Sequence, residues 1–125
     1  MLGNNPVRAM LPAVDLARAR QFYVEKLGLR VIRELPGAIL MEAGNGTILG
    51  IYPRGATKAD HTVAGWEVPN IREAVRALKQ AGVVFESYDY PTLKTDEDHV
   101  AVTGPVQAAW FKDTEGNILG ITQIE

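Results

Sequence analysis

The chain has 125 residues, a formal net charge of −2, no cysteine and no apolar run near the roughly 20 residues that span a bilayer. This length suits a single domain with its own core, and the small net charge gives no electrostatic reason to expect nucleic acid or an anionic membrane as a partner. Disulfides, thiol catalysis and cysteine-bound zinc are excluded, and we expect a cytoplasmic protein.

The first half of the chain predicts one helix and four strands. Residues 7–14 are mostly apolar and predict a strand, and Asp15 then provides an N-cap for a helix with apolar residues at helical spacing. Gly28 suits the position after the helix, because glycine adopts positive φ without steric cost. Further strands are predicted over 29–35, 38–43 and 47–52, separated by turns at 36–37 and 44–46.

The second half repeats this order after a polar linker at 54–61. Asn70 is placed to cap a second helix, Glu73 to complete a capping box, and Gly82 to end the helix as Gly28 ends the first. Strands are predicted over 62–68, 83–88, 107–112 and 117–124.

An internal repeat links the two halves. Segment 46–51 reads GTILGI and segment 116–121 reads GNILGI, so five of six positions are identical at a constant offset of 70. The two helix-ending glycines are only 54 residues apart, which leaves 16 extra residues in the second half. The polar stretch 88–103 fills that space and predicts an inserted loop, either a lid on a binding site or a plain surface excursion.

The repeat and two local motifs carry a family resemblance. The motifs are Val14-Asp15-Leu16 with Phe22-Tyr23 and Leu27-Gly28-Leu29, and the segment WFKDTEGN at 110–117. Together they resemble the vicinal oxygen chelate superfamily, which includes glyoxalase I, bleomycin-resistance and fosfomycin-resistance proteins and extradiol dioxygenases. The resemblance implies an α+β fold of two βαβββ modules, residues 1–53 and 62–125, whose curved mixed sheet forms a concave cup for a ligand. It also implies a homodimer, and the modules of one cup come either from one chain or from two.

Metal-binding members of the superfamily hold a divalent ion with side chains on the first and last strand of each module. Carried over to this sequence, those positions are Arg8, Gly50, Val63 and Gly120. Glycine and valine have no donor atom, and the arginine guanidinium is a permanent cation. We therefore expect no metal and no other cofactor. The two glycines also predict an enlarged cavity.

Strand alternation and the inserted loop supply the candidate ligand contacts. We expect Arg8 to bind an anionic group, and Thr122 to lie at the polar edge of the cup. The remaining candidates are the apolar contacts Met10, Ile48, Tyr52 and Ile118 and the lid residues Tyr88, Tyr90 and His99.

Two functions fit these features. The first is a metal-independent small-molecule-binding protein of the bleomycin-resistance type, which holds an apolar or acidic ligand in the cup. The alternative is an enzyme, a glyoxalase-like lyase or isomerase or a dioxygenase relative, acting on a small substrate. The missing chelating side chains favour the first, and no catalytic residue is predicted.

Overall fold

The computed structural model describes residues 1–125 and confirms the predicted α+β class with two modules. Helix α1 (Leu16–Gln21) continues as a π-helical turn over Phe22–Lys26, and helix α2 spans Ile71–Gln80. Neither helix has the length and apolar character that crossing a membrane requires. The strands are β1 (Ala9–Ala13), β2 (Arg30–Leu35), β3 (Ala38–Glu42), β4 (Ile48–Pro53), β5 (Thr62–Glu67), β6 (Asp89–Tyr90), β7 (Leu93–Lys94), β8 (Ala101–Thr103), β9 (Val106–Lys112) and β10 (Ile118–Ile124).

Two four-stranded mixed sheets have equivalent strand orders, β1-β4-β3-β2 and β5-β10-β9-β8. In each sheet the two strands that are first and last in the chain, β1 with β4 and β5 with β10, pair in parallel. The other neighbouring pairs are antiparallel. Ala9 pairs with Leu49 in the first sheet, and Ala64 pairs with Leu119 in the second. The repeat found in the sequence is therefore a repeat of strand register. Edge strands β1 and β5 lie side by side.

The predicted helix caps are largely confirmed. The Asp15 carboxylate accepts a hydrogen bond from the Arg18 amide at 3.0 Å, and the Asn70 side chain accepts one from the Glu73 amide at 3.2 Å. These bonds satisfy amide groups that have no partner within the first turn. The predicted capping box is incomplete, because the Glu73 side chain accepts no hydrogen bond from the Asn70 amide in return.

One continuous core joins the two modules. It contains 19 buried residues drawn from both helices and both sheets. On β4, Leu49 and Ile51 point into this core, while Ile48, Gly50 and Tyr52 lie on the opposite face. The same alternation holds on β10. Each sheet therefore has an inner face in the core and an outer face that no other part of the chain fully covers.

The strand predicted over 83–88 does not form, so this prediction is wrong. Phe85 forms a single bridge with Phe111, and the Glu86 amide donates to the Trp110 carbonyl at 2.8 Å, but the ladder ends there. The chain then leaves the sheet and returns as β8, inside the segment predicted as loop 88–103. Val83 and Phe85 are apolar because they enter the core, where they are 4% and 6% exposed, and not because they form a strand. The insertion thus interrupts the edge strand of the second sheet.

Candidate functional site

The outer face of the second sheet carries a cavity of about 670 Å³, which we call the aromatic cavity. Its floor is formed by β9 and β10, and its wall by the β6–β7 hairpin of the insertion. The lining residues are Ala59, Asp60, His61, Thr62, Glu86, Tyr88, Tyr90, Leu93, Trp110, Lys112 and Ile118. A volume of this size accommodates a drug-sized molecule.

Three aromatic side chains form a continuous surface in this cavity. Tyr88 meets Trp110 edge-on with ring centroids 5.5 Å apart, and it stacks against Tyr90 at 6.1 Å. Trp110 reaches the cavity because it alternates along β9 with Ala109 and Phe111, which point into the core. Tyr90 is 58% exposed, so a ligand that covered it would bury apolar area that water now contacts.

The hairpin that carries the tyrosines is held by its own hydrogen bonds. The Tyr88 amide donates to the Thr95 hydroxyl at 2.8 Å, and the Thr95 amide donates to the Tyr88 carbonyl at 2.9 Å. The Arg72 guanidinium of α2 then binds the carboxylates of Asp96 and Asp98 at 2.9 and 2.8 Å. Burial opposes ionisation of Asp96, but the hydrogen bonds from Arg72 and from the Val100 and Asp98 amides together outweigh it and lower the pKa of Asp96. The wall of the cavity is therefore ordered before any ligand binds.

Polar groups at the cavity mouth lie close together in pairs. The Lys112 ammonium lies 3.4 Å from a Glu86 carboxylate oxygen, and His61 lies 3.3 Å from Asp60. Burial, reinforced by the negative charge of Glu86, raises the pKa of Tyr88. An unperturbed phenol is already neutral near pH 7, and this shift moves its ionisation further from that pH.

The turn at 113–117 joins the two modules. Asp113 is buried, with 7% of the residue exposed. Its carboxylate accepts four hydrogen bonds at 2.6 to 2.9 Å, from the amides of Glu115 and Asn117, the Asn117 side chain and the Tyr23 hydroxyl. Asn117 also donates to the Pro12 carbonyl at 3.0 Å. Burial next to the Asp113 charge raises the pKa of Tyr23. This turn therefore stabilises the contact between the second sheet and the β1–α1 junction.

Glu115 extends the same contact. Its carboxylate accepts hydrogen bonds from the amides of Val14 and Asp15 at 2.8 and 2.9 Å and pairs with the Arg18 guanidinium at 2.9 Å. The Glu115 side chain is 2% exposed. Burial alone would raise its pKa, but the bonds from Arg18, the Asp15 amide and the Thr114 hydroxyl lower it to about 2. Within the segment that resembles a family motif, Asp113, Glu115 and Asn117 thus have a structural role.

A family model described as Glyoxalase/Bleomycin resistance protein/Dioxygenase superfamily matches residues 6–121. The chain belongs to this superfamily. No curated protein sequence matches it.

Solved structures of the superfamily share the fold at low sequence identity. UcmS2 is 19% identical with a TM-score of 0.73 and covers 94% of this chain and 96% of its own. TnmS3 from Streptomyces sp. CB03234, described as an antibiotic binding protein, is 20% identical with a TM-score of 0.64 and coverage of 94% and 93%. A lactoylglutathione lyase from Agrobacterium tumefaciens is 16% identical with a TM-score of 0.67 and coverage of 95% and 92%. These likenesses extend to binding proteins and enzymes alike.

Of the predicted ligand contacts, the structure brings Tyr88, Tyr90 and Ile118 together in the aromatic cavity. It places His99 elsewhere. The His99 ring stacks on Phe85 at 6.3 Å, and its Nδ1 lies 3.0 Å from the Ser87 hydroxyl, so it holds the base of the insertion and does not line the cavity mouth.

The other predicted contacts are dispersed. Arg8 is exposed, precedes β1 and makes no ion pair. Ile48 lines a different cavity, between the modules. Met10, Tyr52 and Thr122 lie on the outer faces of their strands, outside both cavities.

The metal-binding positions of the superfamily do not fit a metal in this chain. The space where a Gly50 side chain would lie is filled by the Met10 thioether, so the expected enlargement of the cavity there is wrong. A Cβ at Gly120 would lie 3.4 Å from both Thr62 and Trp110. Nowhere in residues 1–125 do three or more His, Asp or Glu side chains converge.

Sequence reasoning missed Trp110, Leu93 and the charged pair of Glu86 and Lys112. The signal for Trp110 was available, because alternation along 106–112 puts it opposite to Phe111. Nothing in the sequence places Leu93 or Glu86 beside Trp110, since that proximity depends on how the insertion folds back.

Glu115 makes stability depend on pH in a defined window. Its folded-state pKa of about 2 lies below the ordinary value of 4.5, so its contribution is present above pH 4.5 and is lost as pH falls toward 2. We expect Glu115→Gln to cost about 1 to 3 kcal/mol at neutral pH, the lower end reflecting solvent screening of half-exposed Arg18. In urea unfolding measured from pH 7 to pH 2, the free energies of unfolding of the variant and the unmodified protein should converge as the pH falls. As a control, Glu97→Gln changes an exposed residue without an ion pair. Its free energy of unfolding should follow that of the unmodified protein at every pH.

Proposed function

We propose that this protein binds an apolar, aromatic small molecule in the aromatic cavity, without a chelated metal or other cofactor. The observation that carries the proposal is the surface formed by Tyr88, Tyr90 and Trp110 on a pre-ordered hairpin and strand. A ligand that stacks there buries apolar surface, and its binding does not carry the entropic cost of ordering the cavity wall. The antibiotic binding described for TnmS3 is consistent with this role on the same fold.

Binding fits the cavity better than catalysis does. A general base needs a group poised to accept a proton, yet a tyrosine phenol is neutral near pH 7, and the raised pKa of Tyr88 moves its ionisation further from that pH. The carboxylates of Glu86 and Asp60 are already engaged by Lys112 and His61. The alternative function is that of a glyoxalase-like lyase or isomerase. Chemical turnover of a bound compound would reveal it.

The aromatic cavity does not favour an acidic ligand. Two carboxylates and one ammonium surround its mouth, and Arg8 is not among its lining residues. An anion would meet unfavourable net charge there. We therefore propose an uncharged or cationic ligand for this cavity.

A homodimer is the assembly we propose. The outer face of the first sheet exposes 40% of Met10 and leaves Ile48 and Tyr52 half-buried. The outer face of the second sheet is open at the aromatic cavity. Packing the first face of one copy on the second face of another would bury apolar area of both and complete the cup from two chains.

Calorimetric titration with three naphthalene probes tests the proposal, using neutral 2-naphthol, cationic 2-naphthylmethylammonium and anionic naphthalene-2-sulfonate. We expect saturable binding of the first two, unchanged by prior dialysis against EDTA, and weaker binding of the sulfonate. Sedimentation of the same samples should show a dimer at micromolar concentration. Loss of binding after EDTA treatment that added zinc or nickel restores would contradict metal independence, and preference for the sulfonate would move the site toward Arg8.

A further inference from the structure

The inner face of the second sheet, opposite the aromatic cavity, carries a smaller cavity of about 220 Å³, which we call the α2 cavity. Its eight lining residues are all hydrophobic. Ala74 and Leu78 line it from α2, one helical turn apart, and Phe111 and Ile121 line it from β9 and β10. The lining side chains offer a single polar group, the indole N–H of Trp66, whereas a buried water molecule typically makes about three hydrogen bonds. The cavity therefore suits an apolar molecule better than ordered water.

The corresponding position of the first module is filled by a tyrosine ring. The helix caps Asp15 and Asn70 are 55 residues apart, and the same offset relates Tyr23 to Leu78. Backbone hydrogen bonds support this match, because the Tyr23 and Leu78 carbonyls each accept one, at 3.0 Å, from the amide directly after the helix-ending glycine. Tyr23 is 0% exposed, whereas Leu78 is half-buried. The smaller leucine thus leaves open, in the second module, the space that an aromatic ring occupies in the first.

The surroundings of the two positions differ in the same way. By the offset of 55, Leu11 and Ala19 of the first module correspond to Trp66 and Ala74 of the second. The first pair is closed off, at 1% and 0% exposed. Trp66 and Ala74 both line the α2 cavity and are half-buried. The cavity therefore has an opening through which a small molecule can enter, and a bound molecule would cover apolar surface that water now contacts.

We propose that the α2 cavity is a second binding site, for a small uncharged molecule with a single aromatic ring. Tyr23 demonstrates that one ring fits between helix and sheet in a module of this fold, and apolar cavities of about 150 Å³ bind benzene. The Tyr23 hydroxyl donates to Asp113, whose counterpart at the offset of 70 is Ala43, so the second module has no equivalent acceptor for a hydroxyl. This site is separate from the aromatic cavity and does not depend on the function proposed for it.

Titration of the full chain with toluene, followed by ¹H–¹³C and ¹H–¹⁵N correlation spectra, tests this site directly. We expect the methyl signals of Leu78 and Ile121 and the indole signal of Trp66 to shift saturably, since all three residues line the α2 cavity. The indole of Trp110 lines the aromatic cavity and reports on binding there. Benzoate should leave the first three signals in place, because its charge would lose hydration against apolar walls. The proposal is overturned if toluene shifts only the Trp110 signal or none, or if benzoate shifts the same three signals equally.

Two variants fill the cavity from α2. Leu78→Phe places a ring where the first module has Tyr23, and Ala74→Leu extends into the same space from one turn away. Each should weaken toluene binding by about tenfold or more and raise the melting temperature by about 2 to 4 °C, since added side-chain volume takes the place of the ligand.

The control is Leu2→Phe, the same substitution at a residue that is 85% exposed, which should change neither quantity. If crowding unfolds one filling variant, the other decides the result. A folded Leu78→Phe or Ala74→Leu protein that binds toluene as tightly as the unmodified protein overturns the proposal.

Discussion

Asp113→Ala is expected to lower the free energy of unfolding by about 3 to 5 kcal/mol, which exceeds the effect of most single substitutions. Four donors converge on this carboxylate, and two of them belong to the nearly inaccessible side chains of Tyr23 and Asn117, residues that are 0% and 1% exposed. Alanine would leave those donors buried without partners. Urea denaturation at pH 7, followed by far-ultraviolet circular dichroism, measures the change.

Two further variants calibrate this result. Tyr23→Phe removes one of the four bonds and should cost about 1 to 2 kcal/mol. Asp60→Ala removes a carboxylate that is fully exposed, with only His61 beside it, and should change the free energy of unfolding by less than about 0.5 kcal/mol. An Asp113→Ala protein as stable as Asp60→Ala would show that the 113–117 turn does not hold the modules together.

Trp110→Ala is expected to weaken binding of 2-naphthol by about 30-fold, close to 2 kcal/mol, because an aromatic surface at the centre of a site carries much of the binding free energy. Tyr88 would lose its edge-to-face partner at 5.5 Å and with it part of the order of the hairpin wall. Calorimetric titration at 25 °C gives the affinity, and a thermal melt confirms that the variant is folded.

The second tryptophan is the matched control. Trp66 packs against the core and does not line the aromatic cavity, so the 2-naphthol affinity of Trp66→Phe should equal that of the unmodified protein. Trp110→Phe should lose less affinity than Trp110→Ala, since it retains an aromatic face. Equal affinities for Trp110→Ala and the unmodified protein would remove the aromatic cavity as the ligand site.

The sequence by itself determined the architecture. The offset of 70 between segments 46–51 and 116–121 predicted two equivalent modules, and the structure gives their two sheets the same strand register. The helix starts at Asp15 and Asn70 and the positive φ values of Gly28 and Gly82 followed from local chemistry, which acts over a few residues.

Only the tertiary structure decided which of those elements make a site. Alternation along a strand predicts the face that a side chain occupies, but not the neighbour that fills the adjoining space, and so it did not foresee Met10 lying over Gly50. Tyr88 meets Trp110 because the insertion leaves the sheet after Glu86 and returns at Ala101. That path is set by contacts between distant residues, such as Arg72 with Asp96 and Asp98, whose pairing no local pattern encodes.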